Sequence, residues 1–217
     1  MTVGDGTFRK YGRVTMGKDC IVDDDAIIGY PPRDVLLSKG IKHLLSTKIG
    51  NRCIVRSGCV IYATATLEAG VQLGHHVVVR EGAEIGAESR IGCFTEVAPD
   101  AVIGERCRIT GRAYIANGVK FGKGVFVGPG LLTANRRFTT AFLDEKEDDE
   151  PMEPPVVEDG VLIGTNVTLN PGVKVGMGSV VGSGCLVTKN VPAGSIVAGM
   201  PGRFIGAVSE KLRRGKR

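Results

Sequence analysis

The chain has 217 residues, 42% of them hydrophobic and 5% aromatic, with no Trp and a formal net charge of +5. That charge is too mild, and the basic residues too little interleaved with aromatics, to argue for nucleic-acid binding, and no apolar run approaches the roughly 18 residues of a membrane-spanning helix. The opening MTVGDGTFRK lacks the apolar core of a secretory leader, so a cytoplasmic location is expected.

Taken in chain order, bulky apolar residues recur every six positions. Met16, Val22 and Ile28 begin the series. The stretch 30–48 (YPPRDVLLSKGIKHLLSTK) breaks the phase and is expected to hold an insertion. From Ile49 the period is unbroken for fourteen positions, ending at Val127. The stretch 133–156 reads as an extruded loop of four hexads, after which the coil resumes in register. Its acidic run, Asp144 to Glu153 with one Lys146, reads as a solvated loop tip. The phase returns at Val157, Ile163, Leu169, Val175, Val181 and Val187. The tail from 207, AVSEKLRRGKR, is expected to form a short basic helix capping the last coil. The domain division is therefore 1–206 for the repeat and 207–217 for the cap.

Two further columns are restricted. Four residues after each bulky position stands a slim one, such as Cys53, Ala65, Ala83, Ser89 or Cys107. Glycine or Asn often stands three after it, as at Gly58, Gly82 and Asn166. Those types tolerate a left-handed corner. A period of six does not suit a helix, whose apolar stripe recurs every 3.6 residues. It suits a short strand plus a corner, three of which close a triangular coil. The pattern resembles the left-handed parallel β-helix of hexapeptide repeats, an all-β fold expected here to have about seven or eight coils.

Five of the six cysteines (Cys20, Cys53, Cys59, Cys107, Cys185) fall in the slim column and read as small apolar residues. No CxxC or zinc-ligand spacing occurs. Steps of three hexads put His75 in a corner column with Ser57, Cys93, Gly111 and Pro129, so Cys93 should stack over His75.

Three segments, GHHVVVREGAEIG (Gly74–Gly86), FVGPGLLTANRRF (Phe126–Phe138) and VVGSGCLVTKNVPAGSIVAGMPGRFIG (Val180–Gly206), resemble hexapeptide acyltransferases. The likeness is nearest to the branch that N-acetylates nucleotide-linked amino sugars. It implies a homotrimer with active sites between subunits, acetyl-CoA as donor, a small amino-sugar acceptor and no required metal. It implies catalytic roles for His75, Glu81 and Asn135, and donor binding by Gly164, Thr165, Gly182, Lys189 and Arg203. His75 corresponds to the residue that orients the acceptor or takes its proton, and Arg203 to the basic residue near the CoA phosphates. Arg136 and Thr165 stand where that branch carries Asp and Ala.

The chemistry agrees with that assignment. An amine must lose a proton to attack a thioester, and an imidazole can accept it near neutral pH. The developing oxyanion needs a donor such as a corner N–H. Leaving out a loop of four hexads, Leu73 to Ile163 spans about 3.7 coils, or ~18 Å, within reach of a pantetheine arm. Two other classes remain open. A γ-class carbonic anhydrase would need His43, His75 and His76 to form a shared zinc site. A non-catalytic prism, such as an ice-binding surface, would show a flat Thr ladder, which the outward columns lack.

Overall fold

The computed structural model describes residues 8–37, 45–137 and 151–209. They form a left-handed parallel β-helix with three flat faces, written here I, II and III in chain order. Face I has nine strands, face II eight and face III ten. The chain completes nine coils, against the seven or eight expected, because strand Arg9–Lys10 extends the prism ahead of the repeat that opens in Arg13–Met16, and Ser195–Ala198 completes a last coil.

Each full turn takes three hexads. Val60, Val78, Glu96 and Tyr114 are successive register partners on face I. Thr66, Glu84, Val102 and Lys120 follow on face II. Gln72, Arg90, Arg108 and Phe126 do so on face III. Most strands have two residues, so the first side chain points out and the second in. The inward residues are the bulky column, and the slim column enters at the corners. Ile61, Ile85, Ile115, Cys59, Ala83 and Val77 are all fully buried. Slim residues at the corners let bulky ones fill the centre of a narrow triangle. A long interior thereby packs with one contiguous apolar cluster.

Polar atoms in the slim column are satisfied. Ser89 Oγ donates to the Gly104 carbonyl at 2.8 Å and accepts the Cys107 amide at 2.9 Å. The thiols of Cys59 and Cys107 donate to the carbonyls of Gly74 and Gly122, each at 3.0 Å. Burial pushes the Cys59 thiol up to about 11 and raises those of Cys53, Cys107 and Cys185. Cys20 is only half-buried, because it sits in the first coil of its column.

Both interruptions are present, with corrected lengths. The first holds a short helix, Arg33–Leu37. Met16 pairs with Ile49 on the next coil, so the chain between them exceeds an uninterrupted turn by two and a half hexads. In the second, Leu132–Thr133 remains a face I strand and Val156–Val157 opens face II. Lys120 pairs with Val156 on the next coil, yet two coils' worth of sequence separates them. The insertion therefore adds three hexads, one coil's worth, and not four. Residues 138–150, with most of the acidic run, lie outside the described residues. The expected helix from 207 is corrected where it can be seen. Arg203–Ala207 is a strand, antiparallel to Ser195–Ala198 on the end of face III, and Val208 and Ser209 are not helical. Residues 210–217 lie outside the described part.

Candidate active site

The corners differ in what they carry. His75 begins the corner between faces III and I, after strand Gln72–Leu73. It is exposed, and its carbonyl accepts the Phe94 amide at 3.0 Å from the next coil. Cys93 stands directly above, as the step of one coil requires. A Cβ placed on Gly74 would lie 2.8 Å from the Cys93 nitrogen and 3.0 Å from its Sγ. The coils approach that closely only because Gly74 has no side chain. His76 takes the left-handed position, with φ of 56°, and its ring stacks on Phe94 at 5.1 Å and 17°. The two histidines of the pair thus have different surroundings. His43 lies outside the described residues, among which no group of three could hold a metal ion.

Thr165 belongs to the same column as His75. Because the loop adds one coil's worth of residues, the two are four coils apart, ~19 Å at the usual strand spacing. The Thr165 amide donates to Ser183 Oγ at 3.1 Å. Gly164 and Gly182 occupy the neighbouring column of that corner. A Cβ on Gly164 would lie 2.5 Å from the Ser183 nitrogen, so this stretch too is closed to side chains. Between the two ends, the amides of Cys93 and Gly111 donate to no partner among the described residues, which leaves donors along this corner.

Lys189 and Arg203 come together at the C-terminal end of the prism. They line one cavity of about 400 Å³ with Val187, Val191, Val197 and Phe204. Arg203 lies at the end of face III, whereas Lys189 follows the last face I strand, Leu186–Val187.

Glu81 and Asn135 are not beside His75. They share the corner between faces I and II, three coils apart, so within one chain Glu81 is one face width from the imidazole and Asn135 lies three coils further along as well. Glu81 accepts two hydrogen bonds from Arg80, at 2.9 and 3.0 Å, and Arg80 also faces Glu96 at 3.8 Å. The Glu81 bonds hold the Arg80 guanidinium above its ordinary pKa. Arg80 lies over the Tyr62 ring at 4.6 Å, and Tyr62, Tyr30 and Tyr11 follow edge to face at 5.3 and 5.5 Å. This ladder from Tyr11 to Glu81 was not foreseen from the sequence. No hexad phase marks it: Tyr11 stands 19 residues before Tyr30, one off the coil step, and Tyr30 meets Tyr62 only through a register shift after Ile28. Asn135 fastens the extruded loop: its Nδ2 donates to the Asn117 carbonyl at 3.2 Å and its carbonyl accepts the Glu153 amide at 2.6 Å.

The geometry defines a solenoid of eighteen-residue turns, three hexads each, with a histidine-bearing corner and a basic end. Two family models match it: "Bacterial transferase hexapeptide (six repeats)" over residues 154–189 and "Hexapeptide repeat of succinyl-transferase" over 101–132. A "Bifunctional protein GlmU" of Thermodesulfovibrio yellowstonii is 28% identical over 207 residues, covering 93% of this chain and 42% of that protein. Its counterpart in Thermotoga maritima is 32% identical over 157 residues, covering 72% and 32%. The chain thus spans less than half the length of these relatives. A Bacillus cereus structure described as a "putative acetyltransferase" aligns with a TM-score of 0.51 at 18% identity, covering 69% of this chain and 81% of that one; at that identity the likeness concerns the fold. The chain belongs to the hexapeptide-repeat acyltransferase family.

Proposed function

We propose that this protein transfers an acetyl group from acetyl-CoA to the amine of a small acceptor, a nucleotide-linked amino sugar being the acceptor class its motifs resemble. One observation carries the reading: His75, Gly164, Thr165 and Gly182 line a single corner that runs ~19 Å toward the C-terminal end of the prism, where Arg203 and, across face I, Lys189 border one cavity. An extended pantetheine arm fits that run, with its thioester at His75 and its phosphates at the basic end. The deprotonated amine attacks the thioester carbonyl, the C–S bond breaks and CoA leaves as thiolate. The proton lost by the amine passes to the His75 imidazole and from there to the thiolate. The free Cys93 amide, one coil above His75, is a donor for the oxyanion. No acyl-enzyme is needed, and no step calls for a metal.

Glu81 and Asn135 enter this scheme only from a neighbouring copy, since within the chain they lie across face I. A homotrimer is the assembly proposed, in the cytoplasm and without membrane insertion; no helix among the described residues is long and apolar enough to span a bilayer.

The test is thiol release from acetyl-CoA against a panel of nucleotide-linked amino sugars. Removing a general base costs about 10²–10⁴ in rate. His75→Asn should lower kcat by that factor at saturating substrate, with the deficit shrinking as pH nears the pKa of the amine. His76→Asn should cost far less. Equal, near-normal kcat in both variants would overturn the base assignment, and no release with any acceptor would overturn the activity.

A further inference from the structure

Face III carries an uncompensated group of arginines beside the His75 corner. Arg90 and Arg108 are register partners on adjacent strands, ~4.8 Å apart along the prism. Like charges placed so repel one another. Other cations of this prism have acids at hand: Arg52 meets Glu88, Arg106 and Lys123 meet Glu105, and Lys174 meets Glu158. Among the described residues no carboxylate lies within ion-pair distance of Arg56, Arg90 or Arg108. Of the three acids on the coil below Arg56, Asp24 makes no ion pair with it and the other two are engaged by Ser57. Asp23 accepts the Ser57 amide and Asp25 the Ser57 hydroxyl, each at 2.9 Å.

These arginines surround a depression of about 280 Å³, lined also by Gln72, Gly74 and Gly92. Gly74 and Gly92 immediately precede His75 and Cys93, so the depression opens onto the corner where transfer would occur. A guanidinium presents a planar fork of N–H donors that matches phosphate oxygens in pairs. Two such forks in register, with an amide side chain beside them, make a site for an anion of more than one charge.

We propose that this depression binds a phosphate or diphosphate group of the acceptor, held by Arg90 and Arg108 with Arg56 and Gln72 at its margin. The anion's place in a substrate rests on the acyl-transfer reading; the anion site itself does not. Binding there would relieve the repulsion between the two strands and hold the acceptor with its amine toward His75.

The probe is inorganic pyrophosphate, titrated calorimetrically into the full chain in saturating CoA, which occupies the Lys189 and Arg203 cavity. The wild type should bind with an affinity that falls as salt rises. R90Q/R108Q should bind at least ten-fold more weakly, while K48Q/K120Q, which removes two charges from face II, should bind as the wild type does. Equal binding by wild type and R90Q/R108Q, or none by wild type, overturns the site. So does dissociation of an oligomer in R90Q/R108Q, which would mean that a neighbouring copy supplies the missing acids. A kinetic arm separates the two readings. R90Q/R108Q should raise KM for a phosphorylated amine more than for its unphosphorylated counterpart. Turnover that treats the two amines alike in both proteins overturns the subsite and leaves acyl transfer standing. Arginine-dependent pyrophosphate binding with no turnover of any amine overturns acyl transfer and leaves the subsite.

Discussion

Gly58 and Gly124 hold the same left-handed corner conformation, with φ of 72° and 64°, but their surroundings differ. A Cβ on Gly124 would meet nothing within 4 Å, whereas one on Gly58 would collide with the His76 imidazole at Nδ1. Gly124→Ala therefore isolates the backbone cost. An L-residue in this region costs about 1–2 kcal/mol, offset by roughly 0.4–1 kcal/mol because alanine restricts the unfolded chain. The net expectation is a loss of about 0.5–1.5 kcal/mol. Gly58→Ala adds displacement of the imidazole and its stacking on Phe94, a contact worth about 0.5–1.5 kcal/mol, so its loss should be about 1–3 kcal/mol. Phe94→Gly, from φ of 58°, runs the other way. It relieves the backbone while losing the same stack, and should fall within about 1 kcal/mol of neutral although it removes an aromatic ring. The three values come from urea unfolding at one protein concentration, with equal m-values as the sign that all report one transition. If Gly58→Ala proves no worse than Gly124→Ala, the imidazole is not held against Gly58, and the distinct settings of His75 and His76 are lost with it.

Two further outcomes test the ends of the site and its interior. Charge-assisted contacts to phosphate contribute roughly 1.5–3 kcal/mol each, so Arg203→Ala should raise the donor KM about ten- to a hundred-fold while changing kcat little; an unchanged KM would put the CoA phosphates elsewhere. Thiolate is the reactive form of cysteine, and with burial holding Cys59 at about 11 and raising Cys53, Cys107 and Cys185, these four should resist a thiol reagent at pH 8 in native protein, leaving Cys93 and Cys20 to react. Rapid labelling of all six would mean that the column is not interior.

The repeat told much about the fold because its period is a property of the coil. A residue at every sixth position must fill the prism, whatever the corners hold, and Ile49 to Val127 do so. The same period is silent about which corner a residue occupies. Phase repeats with every hexad, but register repeats only with every third, so insertions of three and of four hexads leave identical phase. Only the pairing of Lys120 with Val156 separates them. That choice decides the site. With three hexads added, Thr165 falls on the column of His75; with four, it would fall one corner away. Glu81 lies one hexad past His75, in phase yet on a different corner. The strand Arg203–Ala207 escaped notice for a related reason. It pairs by antiparallel return on the prism's end, with most of its residues exposed, so no hexad pattern marks it.

The outward columns decide where a second copy belongs. Face II presents Lys48, Glu84, Lys120 and Lys174, and is at home in water. Faces I and III expose large apolar residues: Tyr114 and Leu132 on the one, Phe126 and Leu162 on the other. These two faces meet at the corner of His75. Burying these later coils in a closed ring places each III–I corner against a neighbour while the earlier Gln72, Arg90 and Arg108 strands of face III stay open, and a ring of three gives every copy one donor side and one receiving side. Light scattering should therefore report a trimer, and a monomer at micromolar concentration would refute the ring. In such a ring the I–II corner of one copy can face the III–I corner of the next, which is how Glu81, on the same coil as His75, would reach the imidazole; Asn135 stands three coils further along. Mixed trimers test this directly. His75→Asn and Glu81→Gln chains, each impaired alone, are unfolded and refolded together in equal amounts. If each site takes its histidine from one copy and its carboxylate from the next, random assembly restores about a quarter of wild-type activity. If both residues come from the same chain, every site keeps one defect and mixing restores nothing.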